Sequence, residues 1–292
     1  MSRIDLRDAE SVCELLELAA ATLRSSERRT GCVEMLPAEG RLVVAGDLHD
    51  NPIHLEKIRA FAHLGESPSN HLVVQELIHG DRLINGVDLS YRVVSKVAEL
   101  VVDHPGQVHP LLANHELCQM LGIGVSKGHG DGTSLFRDGL DFIFGDDAEL
   151  VAESLEAFFR AMPLAVRAAN GLWCSHSIPS PETTSRFNPA VFERPLEDDD
   201  YRPPIGAAYL MVWGRGQRDE QVEQLAEAWQ VKLFCLGHAH SDHGAHVVTP
   251  RMVVLNSDHE RGRVAEFDLA AEVPSAVDLV ESTLPLASMD VA

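Results

Sequence analysis

The chain has 292 residues, 45% of them hydrophobic and 24% charged, a composition that excludes a wholly disordered polypeptide. Its 45 Asp and Glu outnumber 24 Lys and Arg, and the resulting charge of −21 disfavours a nucleic-acid polymer as partner. No stretch reaches the roughly 18–20 apolar residues of a membrane span, and the charged N-terminus does not read as a secretory signal.

Taken in chain order, Leu6, Val12, Leu15, Leu16 and Ala19 recur at helical spacing and predict an amphipathic helix within a leader of residues 1–40. Residues 41–272 read as one α/β domain. Short runs rich in Val and Leu, bounded by Gly or polar residues, predict buried strands: RLVVAG at 41–46, HLVVQ at 71–75, VHPLLA at 108–113, GLWCS at 171–175, KLFCLG at 232–237, RMVVLNS at 251–257 and RVAEFDL at 263–269. Helical patterns lie between them. One opens on Pro52, one ends before Pro105, one follows Asp146 and Asp147, and one runs from about Arg218 to Gln230. The segment 180–206, dense in Pro and charge, reads as a long surface loop, and 273–292 as a tail. Cys13, Cys32, Cys118, Cys174 and Cys235 are odd in number and lack a CxxC, which fits free thiols and a cytoplasmic location. Cys174 and Cys235 sit in apolar runs and read as small buried hydrophobes.

The chemistry gathers where five strand runs end. RLVVAG leads to Asp47 and His49, HLVVQ to Glu76, VHPLLA to Asn114, His115 and Glu116, GLWCS to His176, and KLFCLG to His238 and His240. Carboxyl ends of strands in α/β sheets line one crest, where ligands bind. Carboxylates, imidazoles and an amide without thiolate suit Zn, Fe or Mn. Seven of these nine, all but His115 and Glu116, are candidate ligands, which exceeds the needs of one ion and matches two that share a carboxylate. Such a pair reverses the local charge, clamps a phosphate and activates a water. The other histidines, among them His54, His63, His71 and His104, read as structural or solvent-facing.

The ordered set GDLHDN, ANHE, SHS and GHAH resembles the blocks of the calcineurin-like metallophosphoesterase superfamily. AMPLAVRAANGLWCSHSIPS, and MVWGRG placed ahead of a helix and GHAH, further resemble its phosphoprotein phosphatase branch and bacterial Ser/Thr phosphatase relatives. The resemblance spans residues 41–269. It implies a four-layer α/β/β/α sandwich, with two packed mixed sheets flanked by helices, and two metal ions (Mn, Fe or Zn). Asp47, His49 and His240 would serve the first metal, and Asn114, His176 and His238 the second, with one bridging carboxylate. A metal-bridging hydroxide would attack phosphorus and His115 would protonate the leaving group. The implied substrate is a phosphomonoester such as a phosphoserine or phosphothreonine protein. Nucleotide or diadenosine polyphosphate hydrolysis is the alternative activity, and a catalytically weak metal-binding regulatory module the alternative class.

This chain departs from that pattern at the bridge. Where the superfamily has GDxxDRG, it reads VVQELIHGDRLING. Alignment by strand end selects Glu76 and alignment by the letters GD selects Asp81; strand end sets ligand depth, so Glu76 is preferred. The phosphate-clamping Arg of that block is displaced, leaving Arg82, Arg92 and Arg215 as candidates, since a guanidinium grips phosphate with paired hydrogen bonds. Asp50 replaces a Gly, either adding charge near the metals or bracing His49. Glu116 reads as support for its loop.

Overall fold

A computed structural model describes residues 4–127 and 130–290, so residues 1–3 of the expected leader and 291–292 of the expected tail lie outside it. Twelve strands build two main sheets. The first contains β1 (Arg29–Thr30), β2 (Val33–Leu36), β6 (Ala165–Ala168), β7 (Leu172–Ser175), β8 (Leu233–Leu236), β9 (Ala245–Thr249) and β10 (Met252–Leu255), in the order β1-β2-β6-β7-β8-β10-β9. The second contains β3 (Arg41–Asp47), β4 (Asn70–Gln75), β5 (Val108–Leu111), β11 (Arg263–Asp268) and β12 (Leu284–Pro285), in the order β12-β11-β3-β4-β5. Both are mixed: β3, β4 and β5 run parallel while β11 is antiparallel to β3, and β7, β8 and β10 run parallel while β6 is antiparallel to β7.

Side chains that alternate along each strand separate two cores. Leu42 and Val44 of β3, Val73 of β4, Leu172 and Cys174 of β7, and Leu233 and Cys235 of β8 meet between the sheets. Their neighbours Val43, Ala45, Trp173 and Phe234 face the helices outside. This is the sandwich the resemblance implies. Cys174 pairs in register with Cys235, and all five thiols are free and buried.

Every strand run read from the sequence is a strand, and the four helical patterns are α2 (Pro52–Ala62), α3 (Tyr91–Asp103), α6 (Ala148–Ala161) and α9 (Asp219–Ala228). Pro52 does occupy the first helical position, behind Asn51, whose side chain accepts from His54 N–H. The leader helix α1 (Ala9–Arg24) is amphipathic as expected and packs on α3 and α6, its Val12, Leu15, Leu16 and Ala19 entering the main core. In the tail, α10 (Ala276–Ser282) sends Ala276 and Leu279 into the inter-sheet core. The expected surface loop at 180–206 is not featureless: it carries two short 3₁₀ turns and the one-turn helix α7 (Asp198–Tyr201). Additional helices α4 (Asn114–Leu121), α5 (Gly132–Phe144) and α8 (Ala207–Trp213) complete the outer layers.

At one point the sheets touch through backbone. Asp47 bridges to Asn256, Ser257 N–H donates to the Asp47 carbonyl at 3.0 Å, and Gly46 N–H donates to Ser257 Oγ at 3.0 Å. A Cβ on Gly46 would overlap the Leu255 carbonyl, so only glycine permits this approach.

Away from that contact, His71 and His109 lie buried side by side, with His109 Nε2 3.2 Å from His71 Nδ1. Burial, aided for His71 by the Arg28 charge and for His109 by its histidine neighbour and Arg29, pushes His71 down to about 4 and His109 well below the ordinary 6.5. Both are therefore neutral in the fold, whereas the unfolded chain takes up protons below about pH 6.5. Their contribution to stability is intact above that pH and is lost as pH falls toward 4. Thermal melts of metal-stripped protein should show a midpoint that drops steadily between pH 6.5 and 4.5. The double variant H71Q/H109Q should flatten that decline; an unchanged slope would place the acid sensitivity elsewhere.

Candidate metal centre

The two strand crests converge. Asp47 ends β3, Glu76 follows β4, His176 follows β7 and His238 follows β8 by two residues, while Asn114 and His115 open α4 after β5. The backbone turns sharply at these points: His49, Glu76 and His238 all have positive φ, at 41°, 48° and 66°. Such left-handed turns cost non-glycine residues energy, and here each follows a strand end and bears a side chain of the cluster.

Glu76 lies at the middle. Its Oε1 is 3.3 Å from His115 Nε2, and its Oε2 is 3.5 Å from His49 Nε2 and 3.7 Å from His176 Nε2. Two groups of side chains with ligand atoms within 4.8 Å of one another share it: His49 with His115, and Asp47 with His176. Asp81, the alternative bridge, is exposed and outside both groups. The four intervening residues LIHG carry it away from the strand end.

Orientation of the imidazoles fits a cation. Gln75 Nε2 donates to the Ala45 carbonyl at 3.1 Å, which aims Gln75 Oε1 at His176 Nδ1, 2.9 Å away. Burial foremost, then the neighbouring imidazoles and Arg215, hold His176 well below its ordinary value, so it is neutral. With its proton on Nδ1, its Nε2 directs a lone pair at Asn114 Oδ1, 2.7 Å away, beside Glu76 Oε2. Asn114 Oδ1 also lies 2.9 Å from His238 Nδ1, and burial and Arg215 push His238 down to about 3. The lone pairs of His176 Nε2 and Asn114 Oδ1, brought together without a proton between them, suit a metal ion. His49 is set in the same way, its Nδ1 3.2 Å from the Ile78 carbonyl and its Nε2 turned inward.

Asp47 is fixed by two donors, His238 N–H at 2.9 Å to Oδ1 and Asn256 Nδ2 at 3.3 Å to Oδ2. A Cβ on Gly237 would overlap both Asp47 Oδ1 and Gln75 Oε1, which explains the glycine before His238. Glu116, wholly buried, accepts from Leu77 N–H at 2.7 Å and so braces the turn that carries Glu76; burial raises its carboxyl to about 7.

Other sequence expectations need correction. His240 is not brought into the cluster: its side chain is 69% exposed and its Nε2 is 3.0 Å from Asp242 Oδ1, while Ser241 after it is buried again. Arg82 does not face the cluster but grips Asp50, at 3.1 Å and 3.3 Å to Oδ2. Asp50 accordingly does not brace His49. Burial, only partly offset by Arg82, raises its carboxyl to about 6. Arg92 rests over the Tyr91 ring. Arg215 alone of the three reaches the centre, donating to the His238 carbonyl at 3.1 Å with its other nitrogen 3.5 Å from His238 Nδ1. Sequence reasoning overlooked Gln75 and Asn256 as supports. Their signal was modest: each is an amide at the end of an apolar strand run, where an uncharged polar residue has to be satisfied by something nearby.

A family model for calcineurin-like phosphoesterases matches residues 40–242, a span containing every residue of this centre except Asn256. The chain belongs to that family. It is thus a metal-dependent phosphoesterase, with divalent metal ions as cofactors and phosphate esters as substrates. Comparison with curated protein sequences gave no match. Among solved structures, the fold is similar to that of a protein serine/threonine phosphatase from Saccharomyces cerevisiae with similarity to human phosphatase PP5, at TM-score 0.64 and 14% identity, covering 89% of this chain and 83% of that one. It is also similar to a cold-active protein-tyrosine phosphatase of a psychrophilic Shewanella species, at TM-score 0.57 and 15% identity, covering 84% of this chain and 80% of that one. None of the described helices is long and apolar enough to cross a membrane.

Proposed function

We propose that this phosphoesterase is a dinuclear phosphomonoesterase, acting on phosphoserine or phosphothreonine in a cytoplasmic setting, with Asp47, His49, Glu76, Asn114, His176 and His238 holding two ions of Mn, Fe or Zn. The observation that supports it is Glu76, which two groups of side chains share: its Oε2 lies between His49 and His176, and its Oε1 faces His115. Ions bound there supply Lewis acidity and a coordinated water of lowered pKa. The protein's own groups do the rest. Arg215, beside His238, binds phosphate oxygens and fixes the ester's orientation. His115, at the first turn of α4 and more exposed than His176 (9% against 0% of the side chain), donates a proton to the departing alkoxide. The start of α4 also directs helix-dipole charge toward the anionic ester.

The test is hydrolysis by metal-loaded protein of a phosphoserine peptide, an aryl phosphate and diadenosine tetraphosphate. Preference for the monoesters supports the proposal, and preference for the dinucleotide supports polyphosphate hydrolysis instead. Bound metal without turnover under Mn, Fe, Zn, Co or Ni would indicate a binding module. Arg215→Ala should raise KM about tenfold or more, consistent with about 1.5–3 kcal/mol for a charged hydrogen bond, whereas Arg82→Ala should change it less than threefold. Metal stoichiometry of His240→Ala addresses the displaced ligand: two ions retained supports the six-residue set, and one ion lost restores His240 to the first position.

A further inference from the structure

A second buried histidine stands behind His115 and has no part in the reading so far. His79 lies in the segment after Glu76 with its ring centroid 5.4 Å from that of His115, on which His49 also packs at 5.1 Å. His79, Asp88 and Ser90 are buried at 2%, 2% and 0% exposure, a polar group that an ordinary core would not enclose. Asp88 Oδ2 is 2.9 Å from His79 Nδ1, Asp88 Oδ1 accepts from Ser90 N–H at 2.8 Å, and His79 N–H donates to Ser90 Oγ at 3.3 Å. Phe136 meets the His79 ring edge-on at 5.6 Å. His79 also holds a left-handed backbone, φ 59°. The carboxylate directs a ring proton to Nδ1 and fixes the ring's orientation. His79 Nε2 is buried and has no hydrogen-bond partner among the described residues.

We infer that Asp88 and His79 form a positioning pair for His115, a rigid backing that holds the acid's ring at the angle needed to reach the leaving oxygen. His79 acts through His115 and does not touch substrate. Asp88 comes from a two-residue strand, Val87–Asp88, in a ribbon beside the site, so the ribbon serves to deliver this carboxylate. The inference rests on the proposed role of His115, and its test separates the two.

The signature of misplaced acid is dependence on the leaving group, because a nitrophenolate departs without a proton and an alkoxide does not. In metal-loaded protein, His79→Ala should lower kcat on an alkyl phosphomonoester about ten- to hundredfold, with KM and metal content within twofold of the parent. On 4-nitrophenyl phosphate the loss should be less than about threefold. Asp88→Asn, which keeps the shape but no longer directs the ring proton, should show the same selectivity to a smaller extent. In a His115→Ala background His79→Ala should add almost nothing. Equal losses on both esters, no loss on either, or a full additional loss in the double variant would overturn the inference. A metal-loaded parent that hydrolyses neither ester overturns the reading of the site and the inference with it.

Discussion

Glu76→Gln should strip the metals and reduce turnover roughly a thousandfold or more, the scale of several kcal/mol of charge stabilisation. The substitution preserves size and removes only the charge, so the loss would report the carboxylate itself. Glu76 faces His49, His115 and His176 at once, and no other side chain belongs to both groups. Asp81→Asn supplies the contrast: Asp81 is exposed and apart, and its replacement should leave metal content and rate within twofold. Elemental analysis after gel filtration, together with aryl phosphate turnover, checks both. A Glu76→Gln protein that kept two ions and full activity would disprove the bridge.

His115→Ala should behave differently, keeping its metals while losing about 10²–10⁴-fold on an alkyl phosphomonoester and under tenfold on 4-nitrophenyl phosphate. The distinction matters because His115 Nε2 is close enough to Glu76 Oε1, at 3.3 Å, to count geometrically among ligands. Loss of an ion in His115→Ala would make it a ligand and move the acid's role elsewhere. Retained metal with an ester-dependent defect is the outcome expected of the proposed acid.

Much of this arrangement was legible before any coordinates, for a definable reason. Buried parallel strands leave continuous Val and Leu runs, and the residues that follow them mark the crest, so Asp47, Glu76, Asn114, His176 and His238 were all indicated by where apolar runs stopped. The same logic places Glu76 nearer the crest than Asp81. The strands β2, β6 and β9 escaped notice because they are short or only half apolar, as in VEML and AVRA. Helix α4 was masked by its own function: its first turn is spent on Asn114 and His115 instead of a recognisable cap. Side-chain direction was not legible at all. That His240 turns to Asp242 and Arg82 to Asp50 depends on local partners supplied by loops, which spacing does not encode. The same holds for His79, whose meaning appears only when the ribbon carrying Asp88 folds over it.

The backbone seam at Gly46, Asp47 and Asn256 has a consequence for how activity arises during folding. The orientation of Asp47, a proposed ligand, is set in part by a residue from the opposite half of the sandwich, so neither half in isolation presents it in this way. Competence to hold an ion is therefore acquired only when the halves dock, and metal uptake becomes a reporter of completed assembly rather than of local order.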